Sequence, residues 1–252
     1  MEFKGASILS ISQFERNDID RIFRVADRME PYAQRQKITR VLEGAILGNM
    51  FFESSTRTRI SFGSAFNLLG GEVRETAGFE ASALTKGESL QDTARVLSGF
   101  SDIICLRHPQ SGSAAAFASS SRVPVINGGD GSNEHPSQAL LDLYTIEKEL
   151  KGRGRQLDGL RVAMIGDLKH GRTVHSLCRL LMLFRHISVE LVSPRELAMP
   201  KELVEEMRTA GIKVDESDRL EPSIAHVDIV YSTRIQEERF ASKHEADLYR
   251  GR

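Results

Sequence analysis

The feature that most constrains this chain is a repeated alternation of short apolar runs with segments of helical periodicity. Ala45-Ile46-Leu47-Gly48-Asn49-Met50-Phe51-Phe52 is a mostly apolar run of strand length, the pattern of a parallel strand buried on both faces. Before it, Ile19, Ile22, Phe23, Ala26 and Met29 recur at helical spacing and predict an amphipathic helix over 16–30. After it, Phe62, Ala65, Phe66 and Leu69 stand at i, i+3, i+4 and i+7, predicting a helix stopped by Gly70-Gly71. Ile103–Leu106 and Val123–Ile126 are further strands, each followed by a turn and a helical segment. A helix is expected from His135-Pro136 to about Leu150.

Lys151–Gly159 is glycine-rich and charged and reads as a linker. The alternation then restarts. Leu160–Ile165, Ile187–Val192, Ile212–Val214 and Asp228–Ser232 read as strands, with helices over Thr173–Phe184 and Pro200–Ala210. Strand–helix alternation implies parallel sheets with helices on both faces. The expectation is an α/β protein of two doubly wound parallel-sheet domains, 1–150 and 151–252, with the active-site cleft between them.

Composition narrows the function classes. Lys plus Arg is 34 and Asp plus Glu is 35, a formal net charge of −1, without the basic excess of a nucleic-acid binder. No apolar run reaches the length of a membrane span. The first residues, Met1-Glu2-Phe3-Lys4, carry no signal-peptide stretch, so a cytoplasmic protein is expected. Cys105 and Cys178 alone make neither a disulfide framework nor a metal-ligand spacing. Of the basic residues 25 are Arg and 9 are Lys. A lineage bias explains that total, and only particular positions say more.

In a parallel sheet, ligands sit where strands end and helices begin. Glu53-Ser54-Ser55-Thr56-Arg57-Thr58-Arg59 lies at such a junction. With Ser54 or Ser55 as the N-cap, the first helix amides have no internal partner, and the helix dipole adds positive charge there. Hydroxyls and two guanidiniums gathered at that end suit a phosphate. An ordinary Ser/Thr cap with solvated arginines is the plain alternative.

Ser55-Thr56-Arg57-Thr58-Arg59 resembles the carbamoyl-phosphate motif of the carbamoyltransferases. Lys86-Gly87-Glu88-Ser89, Arg107-His108-Pro109-Gln110 and His135-Pro136-Ser137-Gln138 follow in that family's order, and the likeness extends over essentially the whole chain. The resemblance implies that Ser55, Thr56, Arg57, Thr58, Arg107, His135 and Gln138 bind carbamoyl phosphate, with Thr58, Arg107 and His135 catalytic. Taken singly, Arg107 also fits a surface ion pair, His135 a cap or core residue, and Gln138 plain surface polarity. Ser82 and Lys86 lie in a loop, Gly78–Gly87, that reads by itself as a solvated connection. In the resembled family this loop enters the neighbouring subunit's site, which implies a homotrimer with shared sites, Lys86 also meeting aspartate.

The second block carries Gly166-Asp167-Leu168-Lys169-His170-Gly171-Arg172, again between a strand and a helix. A Rossmann-like nucleotide site is a rival reading, although Gly-x-Gly-x-x-Gly is absent. The stretch resembles the aspartate-specific branch, in which Arg172 holds a substrate carboxylate. Thr233-Arg234-Ile235-Gln236 resembles the second clamp, with Arg234 and Gln236 as aspartate-binding residues. Two arginines suit a substrate with two carboxylates. The reaction implied joins carbamoyl phosphate and L-aspartate in pyrimidine biosynthesis, with no metal or organic cofactor. Regulatory chains as partners stay open.

The chain ends at Arg250-Gly251-Arg252 without the His-Pro-x-Pro-Arg loop and returning helix of the resembled family. On that basis the second domain is expected to be partial and activity reduced or absent. A catalytically impaired, carbamoyltransferase-like protein that binds anions or partner subunits is the alternative function.

Overall fold

A computed structural model describes residues 1–77 and 87–236. The chain divides into two compact units, Met1–Ser137 and Gln138–Arg252, each built on a four-stranded, wholly parallel sheet. The first unit runs α1 (Arg16–Ala33), β1 (Ile46–Phe51), α2 (Thr56–Leu68), β2 (Glu72–Ala77), α3 (Leu90–Leu97), β3 (Ile103–His108), α4 (Ser113–Ala118) and β4 (Val125–Asp130). Helix α5 (Pro136–Gly152) leads into β5 (Arg161–Ile165), α6 (Arg172–Leu181), β6 (Ser188–Val192), α7 (Lys201–Thr209), β7 (Lys213–Ser217), α8 (Leu220–Ile224) and β8 (Ile229–Ser232).

The first sheet has the order β2-β1-β3-β4. Alternate residues of the central strands feed two separate cores. Leu47, Phe51 and Cys105 pack with Phe62 and Phe66 of α2 on one face. Met50, Phe52, Ile104 and Leu106 pack with Ala94 of α3 and with Ala114 and Phe117 of α4 on the other. Burial on both faces is why these strands read as continuous apolar runs. The chain leaves β1 toward β2, then returns past it to β3. The order therefore reverses between β1 and β3, and a crevice opens at the carboxyl ends of those two strands.

The second sheet, β7-β6-β5-β8, reverses between β5 and β8. Asp228 ties the starts of those two strands together. Its carboxylate accepts from both Arg155 guanidinium nitrogens at 2.6 and 2.9 Å, from Arg161 Nη2 at 3.1 Å and from the Arg161 amide at 2.9 Å. Each unit buries one cysteine completely, Cys105 in β3 and Cys178 in α6.

Four elements depart from the sequence reading. Strand β2, Glu-Val-Arg-Glu-Thr-Ala, is a charged edge strand that no apolar pattern reveals. Strand β4 begins at Val125 and continues through Gly128-Gly129 to Asp130, where the glycines suggest a turn. Helices α3 and α8 are short and were not separately expected. Among the described residues no helix is long and apolar enough to cross a membrane.

The hydrogen bonds from the two arginines hold the Asp228 carboxyl far below the ordinary carboxylate range. A depressed folded-state value means its stabilisation is complete above the unfolded value of 3.8 and fades as pH falls below it. Asp228→Asn is expected to cost about 1–2 kcal/mol at neutral pH, since both arginines are about half exposed. The cost should shrink between pH 4 and about pH 2, read from urea unfolding midpoints across that range.

Candidate active site

At the first switch point, β1 runs out into Phe52 and Glu53, and the Phe52 amide still bonds the Arg107 carbonyl at 2.8 Å. Ser55 is the backbone N-cap of α2, with extended φ/ψ, and its hydroxyl makes no capping bond to the helix. The first amides of α2 are thus left for another acceptor. The two guanidiniums of this motif divide. Arg59 is drawn back to the sheet, where it pairs with Glu75 at 2.7 Å. Asn49 bonds the same carboxylate at 2.8 Å and the Arg59 carbonyl at 3.0 Å. Arg57 is exposed on the first turn and makes no ion pair among the described residues.

Arg107, the last residue but one of β3, has its guanidinium buried. It holds Glu53 at 2.9 Å and donates to the Gly128 carbonyl at 3.2 Å. Gly129, with φ +118°, lies under it. A Cβ there would stand 2.9 Å from Arg107 Nη1 and 3.4 Å from His135 Cδ2. Arginine and imidazole therefore flank one patch of bare backbone that only glycine can supply.

His135 is buried, with Nδ1 3.3 Å from the Ser137 hydroxyl. The turn before it is pinned from several sides. Asp130 takes the amides of Gly112 at 3.0 Å and Glu134 at 3.2 Å. Glu134 accepts from the Ser10 hydroxyl and the Ile11 amide, both at 2.8 Å. Next to Arg107, His108 packs edge-on to Phe52 at 5.8 Å, and burial lowers its pKa, favouring the neutral ring.

In the second unit, Asp167 organises the carboxyl ends of β5 and β8. Fully buried, it accepts from the His170 amide at 3.0 Å, the His170 ring at 3.1 Å and the Gln236 amide at 3.1 Å. Gly166, at φ +111°, lets these strand ends close. A Cβ there would fall 2.2 Å from the Thr233 carbonyl oxygen. Arg172 opens α6 just beyond β5, and Arg234 follows β8 with Nη1 on the Ile235 carbonyl at 3.1 Å. Gln236 folds back onto the Arg234 carbonyl at 3.3 Å. The two expected clamp arginines thus leave neighbouring strands. His175 of α6 is spent on structure, its Nε2 bonding the Leu168 carbonyl at 2.7 Å, with burial lowering its pKa.

Gln138, at the third position of α5, gives its Nε2 to Asp142 at 2.8 Å, and Tyr231 of β8 donates to the other Asp142 oxygen at 2.8 Å. Burial raises the Asp142 carboxyl, partly offset by those two bonds. Sequence reading passed over Glu53, Asp142 and Asp167. Glu53 directly precedes the Ser-Thr cluster, and Asp142 stands at i+4 from Gln138, the one local signal available. Ser82 and Lys86, expected to come from a neighbouring subunit, lie outside the described residues. Among the described residues no group of three or more His, Cys, Asp or Glu could hold a metal ion.

Two parallel sheets, each with polar and cationic side chains near its switch point, are the arrangement that defines ligand-binding α/β proteins of the doubly wound class. Comparison with known proteins makes this specific. Residues 6–148 match the carbamoyl-P binding domain of aspartate/ornithine carbamoyltransferases, and residues 158–250 match their Asp/Orn binding domain. The aspartate carbamoyltransferase catalytic subunit of Saccharophagus degradans is 76% identical over 252 residues, all of this chain and 75% of that protein. The catalytic subunit of M. jannaschii aspartate transcarbamoylase superposes with a TM-score of 0.87 at 45% identity, covering 97% of this chain and 79% of that one. Trypanosoma cruzi aspartate transcarbamoylase in complex with carbamoyl phosphate and aspartate gives 0.88 at 40% identity, covering 97% and 76%. The chain belongs to the aspartate/ornithine carbamoyltransferase family.

Gly166→Ala should destabilise the chain by about 2–4 kcal/mol, from left-handed strain plus the forced parting of Gly166 from Thr233. Urea denaturation measures it. An unchanged midpoint would mean that the strand ends do not close as described.

Proposed function

We propose that this chain transfers the carbamoyl group of carbamoyl phosphate to the α-amino group of L-aspartate, giving N-carbamoyl-L-aspartate and phosphate. The observation that carries the reading is the convergence of Arg107 and His135 on Gly129, beside the uncapped start of α2. Support comes from the S. degradans relative, an aspartate carbamoyltransferase catalytic subunit at 76% identity. The T. cruzi structure, a complex with both carbamoyl phosphate and aspartate, points the same way. Such likeness to catalytic subunits disfavours a degenerate anion-binding or subunit-interaction role.

In this reading residues 1–150 bind carbamoyl phosphate and 151–252 bind aspartate. Ser55, Thr56, Arg57 and Thr58 hold the phosphate with the α2 amides. Thr58, Arg107 and an imidazole N–H of His135 stabilise the negative charge that develops on the carbonyl oxygen. Gln138 takes the carbamoyl NH2 through its amide oxygen. Arg172, Arg234 and Gln236 receive the two aspartate carboxylates, where the ammonium of ornithine would be repelled. The neutral amine attacks the carbonyl carbon, forming the C–N bond as the C–O bond to phosphate breaks. The bonding pair leaves with the phosphate, which also takes the amine proton. The steps ask for no metal or organic cofactor, and much of the rate comes from holding two anions in register.

Ser82 and Lys86 are assigned to a neighbouring subunit's site, Lys86 on aspartate, within a homotrimer. Pyrimidine biosynthesis in the cytoplasm is the setting, and regulatory chains are further candidate partners. No nucleic-acid or membrane partner is assigned.

Arg57→Ala is expected to weaken carbamoyl-phosphate binding by roughly tenfold to a hundredfold, as for loss of hydrogen bonds to a charged group. Calorimetric titration measures it, and wild-type affinity would remove the phosphate site. Arg172→Ala should reduce aspartate affinity by a similar factor while leaving carbamoyl-phosphate binding within about twofold. Equal loss of both would make that arginine structural.

A further inference from the structure

The Gln138 amide is ambiguous by shape, because its oxygen and nitrogen ends are interchangeable. Only one end can select a carbamoyl NH2 over a group of the same size without a donor. In this chain the ambiguity is removed by a neighbour. Gln138 Nε2 donates to Asp142 Oδ1 at 2.8 Å, and an ionised carboxylate accepts hydrogen bonds but donates none. The amide is thereby turned with its nitrogen toward Asp142, which leaves its oxygen as the end not used in that bond. A glutamine at the third helix position ordinarily reaches back to the cap, whereas this one reaches one turn forward.

Asp142 is itself held. Its second oxygen accepts from the Tyr231 hydroxyl at 2.8 Å, and the Tyr231 oxygen hydrogen-bonds the Thr173 side chain. The half-buried phenol is pushed up from its ordinary value by desolvation and remains a neutral donor. Thr173 follows Arg172 on α6, and Tyr231 lies three residues before Arg234. One chain of side-chain hydrogen bonds therefore runs from the Gln138 amide through Asp142 and Tyr231 to Thr173, the residue after Arg172, all within the second unit.

We infer that Asp142 is a positioning residue for carbamoyl selectivity, fixing the Gln138 amide oxygen as the end left for the ligand, with Tyr231 holding Asp142 in place. The inference rests on the proposed function above. It assigns the preference for an NH2-bearing acyl phosphate to a carboxylate that does not touch the substrate.

The test is the ratio of dissociation constants for acetyl phosphate and carbamoyl phosphate, measured by calorimetric titration on the full chain. The two ligands share phosphate and carbonyl and differ in CH3 against NH2. The unsubstituted protein should favour carbamoyl phosphate, and an absence of any preference would count against the proposed function itself. Given that preference, Asp142→Ala should lower it about tenfold, the scale of one well-placed hydrogen bond, with little change in acetyl-phosphate binding. Tyr231→Phe, which keeps the ring and its packing, should lower it about threefold and serves if Asp142→Ala fails to fold. In the Gln138→Ala background, Asp142→Ala should add nothing further, because both act through one amide. Parallel weakening of both ligands, or additive losses in the double variant, would overturn the positioning role. So would a ratio unmoved in both Asp142→Ala and Tyr231→Phe.

Discussion

A parallel sheet points all its strand ends one way, and wherever the strand order reverses, two neighbouring loops part and leave backbone amides uncovered. Everything the proposed function draws on depends on that constraint occurring twice. At the carboxyl ends of β1 and β3 the start of α2 lies open, with the buried Arg107 guanidinium and Gly129 behind it in the same unit. Between β5 and β8, Arg172 and Arg234 leave from either side of the buried Asp167 hub. The same topology that buries Leu106 and Met164 completely presents these cations at the strand ends. Packing and chemistry are consecutive stretches of the same strands.

Charge in these sites is compensated within the chain. Arg107 is held by Glu53 and a carbonyl, and Arg59 is taken up by Glu75 and Asn49. An unpaired guanidinium at Arg107's depth would cost several kcal/mol, so an acidic neighbour is required for the site to fold empty. Arg57, exposed and without an ion pair among the described residues, carries no such penalty. Two arginines on the first turns of one helix thus differ in environment, Arg59 paired to the sheet and Arg57 exposed, and the proposed function assigns only Arg57 to the phosphate.

Much of the fold was legible because buried parallel strands announce themselves. The runs at 45–52 and 160–165 lie within a residue or two of β1 and β5, and the 3.6-residue rhythm marked α1 and α2. What escaped was structure whose stabilisation is not written in apolar periodicity. Strand β2 is polar because it is an edge, and β4 holds Gly129 under the Arg107 guanidinium and Gly128 against the Cys105 sulfur and Leu106 carbonyl. The motif arginines and His135 could be named from spacing and resemblance, but their division of labour could not. That Arg59 turns to Glu75, that Asp142 receives the Gln138 amide and that Asp167 receives Gln236 are long-range or side-chain choices. No local pattern encodes a partner sixteen or sixty-nine residues away.

Each unit carries one thiol, sealed within its own interior. Cys105 lies under Gly128 in β3, and Cys178 faces inward from α6, where burial pushes its pKa up to about 12. Neither sulfur can meet a reagent in solution until the half that contains it opens. The molecule is thus built with a separate chemical clock in each half, and alkylation followed by peptide mapping would time the breathing of each independently.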